Sequence, residues 1–300
     1  MSEFIALSLP PMLIGTLAAM ACALPGNFLL LRRQSLIGDA ISHTVLPGIV
    51  VAFLLTGSLA ALPMMLGAAA AALLAVVLIE LIRRFGRVEP GAAMGVVFTT
   101  MFAAGVLLLE QTDTASVHLD VEHALYGNLE SLIWLDGFVP GALTDPQALA
   151  TLPPELTRMA LTLAVIALAL WIFWRPLALA TFDNGFAQSL GLPVTALSLG
   201  LVVCAAMAAV AAFDAVGSII VIAMFICPPA SARLMTNDLK HQIAWSLAFA
   251  ALSATLGYVL AGYGPLWLGA EASVSAAGMI ATVSGLILGG AALAGPHRKA

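Results

Sequence analysis

Apolar runs of about 20 residues, each long enough to cross a bilayer's hydrocarbon core, recur along the whole chain. Nine can be drawn, over about 10–31, 38–56, 60–82, 92–110, 157–174, 195–212, 215–235, 241–262 and 273–293. Only 9% of the 300 residues are charged and 62% are hydrophobic, so a soluble domain could not hide the apolar surface. The expected fold class is all-α, a polytopic membrane helix bundle. It has nine transmembrane helices, or eight if one segment is broken or re-entrant. No internal repeat or low-complexity linker divides the chain, so residues 1–300 are expected to form a single domain. No basic tract suggests nucleic acid. Ala21-Cys22-Ala23 has the look of a signal-peptide cleavage site, but Met1 to Phe4 carry no basic residue, and the first run reads as a retained helix. Cys22, Cys204 and Cys227 all lie in apolar runs without the close pairing of a metal or redox motif, and are expected to be packing residues.

Charge orients the spans. Arg32 and Arg33 follow the first run, Arg83, Arg84 and Arg87 the third, and Arg175 the fifth. Arg233 and Lys240 flank the seventh-to-eighth connection, and Arg298 and Lys299 end the chain. These are alternate loops, so the positive-inside rule puts all of them in the cytoplasm, with Arg158 the exception. The N-terminus is then outside, the C-terminus inside, and the protein belongs in a bacterial inner membrane. The opposite side is acidic: Glu110, Asp113, Asp120, Glu122, Glu130, Asp136, Asp145 and Glu155 occur between positions 110 and 155 without a lysine or arginine. An external acidic segment of about 111–156 attracts cations or docks a partner, or is a solvated loop; both readings stand. The amphipathic stretch from Val121 to Leu135 is expected to lie along the membrane surface or dip into it.

Several polar residues are out of place in lipid. Asp39 and His43, in Gly38-Asp39-Ala40-Ile41-Ser42-His43-Thr44-Val45-Leu46-Pro47-Gly48, stand at i and i+4 and so share one helix face. A charged residue at a helix centre costs roughly 2.5–3.5 kcal/mol on insertion scales and usually faces a cavity or partner. Carboxylate oxygen with imidazole nitrogen suits a divalent transition metal. The competing reading makes Asp39 a helix N-cap and His43 a satisfied core histidine. Pro47 lacks the N–H that would bond the His43 carbonyl, so that carbonyl must face protein, water or an ion. A second donor cluster is His118-Leu119-Asp120-Val121-Glu122-His123, where Asp120 and His123 either capture a metal or belong to an ordinary polar loop. Pro228-Pro229 interrupts the seventh run and frees the carbonyls of Met224 and Phe225. A broken helix of this kind lines a cavity in many transporters, or serves packing alone.

Absences narrow the function. Neither lysine follows a glycine, so no G-x-x-x-x-G-K-[ST] phosphate loop exists, and no histidine is followed by glutamate, so there is no H-E-x-x-H zinc-protease motif.

Gly26-Asn27-Phe28-Leu29-Leu30-Leu31-Arg32-Arg33, running into Gly38-Asp39-Ala40-Ile41-Ser42-His43 and Leu46-Pro47-Gly48, resembles the permease subunits of zinc/manganese/iron ATP-binding-cassette importers. Leu119 to Asn128 is similar to that family's extracellular signature, and Phe182 to Pro193 to its coupling segment. Ala215-Val216-Gly217 through Pro228-Pro229-Ala230-Ser231-Ala232-Arg233-Leu234 is similar to its kinked late helix. The resemblance implies a type II importer permease that is not itself a hydrolase. Two permease copies or paralogues form the path, cytoplasmic ATPase subunits bind below, and an extracytoplasmic metal-binding protein delivers manganese, zinc or iron. No tightly bound cofactor is implied. The family's pathway residues fall on Asp39, His43, Asp120 and His123. The cytoplasmic coupling segment of about 180–193 is expected to be a short helix capped by Asp183, with Phe186, Ala187 and Leu190 on one apolar face. Gly191 and Pro193 would end it. A lone ion-coupled secondary carrier is the alternative, and a membrane enzyme using Asp39 and His43 as an acid/base pair a distant third.

Overall fold

The computed structural model describes residues 3–57, 61–111, 129–139, 141–267, 269 and 274–296. Every regular element among them is helical. After a π-helical turn at Phe4–Ser8 come α1 (Leu9–Leu31), α2 (Leu36–Thr56), α3 (Ala61–Gly86) and α4 (Pro90–Gln111). Short turns lead through α5 (Pro146–Leu149) to α6 (Pro154–Ile172), α7 (Trp174–Phe182) and α8 (Asn184–Ser189). The chain finishes with α9 (Val194–Met235), α10 (Leu239–Trp267) and α11 (Ala276–Ala294). Eight helical stretches are long and apolar enough to cross a membrane, two of them the halves of α9; α2 adds a shorter described apolar stretch, Pro47–Thr56.

As one straight rod, the 42 residues of α9 would reach roughly 63 Å, about twice a hydrocarbon core. The rod is not straight. Arg32 Nη1 donates to Ser198 Oγ at 2.8 Å, while Gly26, six residues earlier on α1, has its backbone against the Phe225 carbonyl. Ser198 and Phe225 would stand about 40 Å apart along a straight helix, against about 9 Å between Gly26 and Arg32. The chain therefore folds back between them. The joint is Gly217, with φ 77° and ψ 172°, a conformation essentially restricted to glycine. The sequence draws separate runs over about 195–212 and 215–235, and the structure puts the reversal between them at Gly217; the further interruption expected at Pro228-Pro229 is absent, the helix running through both prolines to Met235.

α1 lies at the centre, packed on α6, α9 and α10. Its buried Ala18, Ala19, Ala21 and Ala23, like Ala205, Ala208, Ala209 and Ala212 of α9, let backbones approach closely, which is how helices associate where lipid is as apolar as leucine. α2 crosses α3 with Gly48 and Gly67 backbone to backbone, and Pro47 lies against Gly105 of α4. Large apolar side chains such as Leu55, Trp171, Leu286 and Leu293 point outward, the surface expected of a lipid-solvated bundle. Cys22 is buried, Cys204 and Cys227 half-buried, and all three are free thiols.

The two ends of the bundle differ. At one end, Arg32 bonds Thr181 and Ser198, and Gly295 lies against Leu234. At the other, a folded cap packs on α1, α9 and α11. Leu129 is buried over Gly15, near Ile280, and Glu130 Oε1 accepts the Ala276 N–H at 2.7 Å. That carboxylate sits at the start of α11, where a helix favours negative charge. Trp134 is buried, its backbone N–H bonded to the Ala6 carbonyl and its Nε1 donating to the Ala148 carbonyl and Thr151 Oγ1. The described part of the amphipathic stretch, 129–135, thus packs on protein through Leu129 and Trp134, leaving Leu135 exposed. The exceptional Arg158 pairs with Glu155 at 2.7 Å, one helical turn away, which tempers its charge in place.

Candidate functional site

α1 ends in a tight corner. The Arg32, Arg33 and Gln34 N–H groups bond the carbonyls of Phe28, Leu30 and Leu29, and the Ile37 N–H bonds that of Gln34. The helix that leaves this corner carries Asp39 and His43 on successive turns. Their side chains fall outside the described residues, as do Asp120 and His123 entirely. Among the described residues no group of three metal-binding side chains assembles.

The backbone around Asp39 is closely held. A Cβ on Gly38 would lie 2.6 Å from the Phe225 ring, so α2 meets α9 at van der Waals distance there. Ala40 and Thr44 are buried. Phe225 is fully buried and acts as a wedge, its ring against Gly38 and its carbonyl against Gly26. That carbonyl is one of the two freed by the proline pair. It faces the α1 backbone at Gly26, where an added Cβ would lie 2.5 Å from its oxygen, rather than being left open.

A buried polar pair lies nearby and was not anticipated. Gln242 Nε2 of α10 donates to Asn27 Oδ1 at 3.1 Å, and Asn27 Nδ2 donates to the Ala23 carbonyl at 2.7 Å. An asparagine inside an apolar run was the available signal, because a polar side chain in lipid needs a partner; nothing local identified Gln242.

At the Arg32 end, α7, α8 and the start of α9 form a unit with a small core of Ala180, Ala187 and Val194. The Asp183 carboxylate accepts the Phe186 N–H at 2.8 Å, a helix N-cap. Gly191 closes α8 with φ 75°, and the Leu192 N–H returns to the Ala187 carbonyl, in the manner of a glycine-terminated helix. Ala187 is fully buried, whereas Phe186 and Leu190 are 52% and 58% exposed and Phe182 is 59% exposed. The expected single apolar face is therefore split: Ala187 anchors α8 to its own chain, and three large apolar side chains stay uncovered.

The profile of the ABC 3 transport family matches residues 5–136 and 147–291. The chain is 39% identical to the manganese transport system membrane protein MntD of Bacillus subtilis over 282 residues, 94% of this chain and 90% of that one. It is 35% identical to the zinc transport system membrane protein TroD of Treponema pallidum over 276 residues, 92% of this chain and 70% of the other. Among solved structures, PsaBC from Streptococcus pneumoniae in complex with Fab superposes with a TM-score of 0.76 at 26% identity, covering 97% of this chain and 92% of the other.

Proposed function

The chain belongs to the ABC 3 transport family, and from that premise we propose that it is the membrane permease subunit of an ATP-driven importer of divalent transition-metal ions. It is a transport subunit and not an enzyme; ATP hydrolysis falls to a separate chain, in keeping with the missing phosphate loop. The observation that carries the reading is the match to manganese and zinc transport proteins over more than nine-tenths of the chain.

In this proposal residues 1–300 act as one domain, paired with a second permease copy or paralogue. The Arg32 end faces the cytoplasm of a bacterial inner membrane, supported by Arg32, Arg33, Arg83, Arg84, Arg87, Arg175 and Arg233 on alternate connections. The exposed Phe182, Phe186 and Leu190 offer an ATPase subunit an apolar surface to dock on. The acidic Glu130 end faces outward, where a metal-binding protein would deliver its ion. Asp39 and His43 on α2 supply oxygen and nitrogen donors to the path, with Asp120 and His123 a second set. The donor chemistry fits manganese, zinc or iron, and the ion is cargo.

The test is metal uptake by the assembled importer. Asp39→Ala and His43→Ala should each reduce manganese or zinc uptake to the level of a permease-deleted strain, with chain abundance and ATPase co-purification unchanged. Retained uptake accompanied by a falling yield of folded chain would instead assign the two residues to capping and core packing.

A further inference from the structure

The α7–α8–α9 unit has its own small core, and one side chain from the α1–α2 corner reaches both of its flanks. Arg32 Nε donates to Thr181 Oγ1 at 3.0 Å and Nη1 donates to Ser198 Oγ at 2.8 Å. Thr181 stands two residues before the Asp183 cap, and Ser198 five residues after Pro193. The Thr181 hydroxyl in turn donates to the Leu177 carbonyl at 2.7 Å, which fixes its lone pairs toward the guanidinium. Nη2 is buried without a hydrogen-bond partner, and no carboxylate pairs with Arg32 among the described residues. This arginine is held by two neutral hydroxyls on separate elements.

The other end of the connection is equally constrained. Arg32 caps α1, and the backbone bonds of Arg33, Gln34 and Ile37 tie the corner to both α1 and α2. Six residues separate Arg32 from Asp39, with Gly38 pinned on Phe225 among them. A displacement of Thr181 and Ser198 therefore acts on a corner with little slack. Only a forked donor does this, since the single ammonium of a lysine cannot hold two separated hydroxyls in the same way.

We propose that Arg32 is a positioning residue that transmits movement of the α7–α8–α9 unit to the corner from which α2 and Asp39 depart. The proposal rests on the reading above that α8 receives the ATPase and that α2 lines the metal path. It predicts that loosening the fork separates ATP hydrolysis from transport, while ATPase binding, which uses Phe182, Phe186 and Leu190, persists.

The experiment uses the full importer, permease with its ATPase and delivery protein, in proteoliposomes with manganese or zinc. The variants are Arg32→Lys, which keeps the charge, the near-isosteric pair Thr181→Val with Ser198→Ala, and the combination of all three. Metal moved per ATP hydrolysed should fall about fivefold or more, the lower bound of typical coupling between sites, in both Arg32→Lys and the hydroxyl pair. The combination should be no worse than either, because all three changes cut one connection. ATPase co-purification and thermal midpoint should stay at wild-type values. An unchanged metal-to-ATP ratio would overturn the proposal. So would a loss of transport that tracks a loss of folded complex, or additive losses in the combination. A wild-type complex that moves neither metal with ATP would instead overturn the proposed function, so the two failures are distinguishable.

Discussion

Arg33 and Arg87 adopt left-handed backbone, with φ 57° and 51°, and are the two non-glycine residues to do so among those described. Each follows a helix C-terminus, α1 for Arg33 and α3 for Arg87, a position that glycine ordinarily takes. A side chain there costs roughly 1–2 kcal/mol. A positive charge beside the helix's negative end returns about 0.3–1 kcal/mol, and positive charge on these connections orients the spans. Arg33→Gly should therefore raise the thermal midpoint of the detergent-purified chain by the equivalent of about 1 kcal/mol. A lowered midpoint would mean that the arginine's local interactions outweigh its backbone strain. At this scale the sequence singled out Asp39 and His43, because charge in an apolar run is conspicuous by itself. It was silent on the fork of Arg32, whose partners lie 149 and 166 positions away.

Among the elements, α8 was the most legible. Asp183 before Phe186 and Gly191 before Pro193 are local start and stop signals, and the structure uses Asp183 as the cap and Gly191 as the left-handed stop. Which apolar side chains face outward was not legible, because a short helix among small residues can turn several ways onto its own bundle. Burial of Ala187 against Ala180 and Val194 decides it. Consequently Phe186→Asp and Leu190→Asp should abolish co-purification of the ATPase while the permease remains folded and inserted. Ala187→Asp should lower the yield of folded permease itself, since it places a charge in a packed cluster. Pull-down of the ATPase beside size-exclusion profiles of the permease would check both. Undiminished ATPase binding in the Phe186 and Leu190 variants would remove α8 as the docking face.

For the whole molecule, the question is how many times the chain crosses. Among the described residues eight helical stretches, two of them the halves of α9, are long and apolar enough to cross a membrane; in the proposed orientation α2 is a ninth crossing, which gives the odd number that the alternating arginines require. The ends should then lie on opposite sides. With Cys22, Cys204 and Cys227 replaced, Glu3→Cys should label with an impermeant maleimide from outside intact cells, and Pro296→Cys only after permeabilisation. Labelling of both from one side would mean that one helix does not cross. Fold class and eight long apolar helices were readable from the sequence, because a bilayer demands about 20 apolar residues per crossing and a chain cannot disguise that demand.

The sequence by itself determined the helical bundle, the segregation of arginines to alternate connections and the capped segment after Asp183, and it is the source of the proposal that Asp39 and His43 are donors. Each follows from a rule that acts within one or two helical turns or within one bilayer thickness. Tertiary structure alone decided that the second half of α9 stays helical through Pro228-Pro229, and that Phe225 wedges between Gly26 and Gly38. It also decided that Glu130 serves the start of α11 from 146 positions away, and that Arg32 holds both flanks of α8. The physical reason is common to all four. In lipid an apolar side chain has nearly the same environment against a tail as against another helix, so hydropathy does not mark which faces meet. Close backbone contact and satisfied polar groups select the pairing, and both depend on partners distant in the chain.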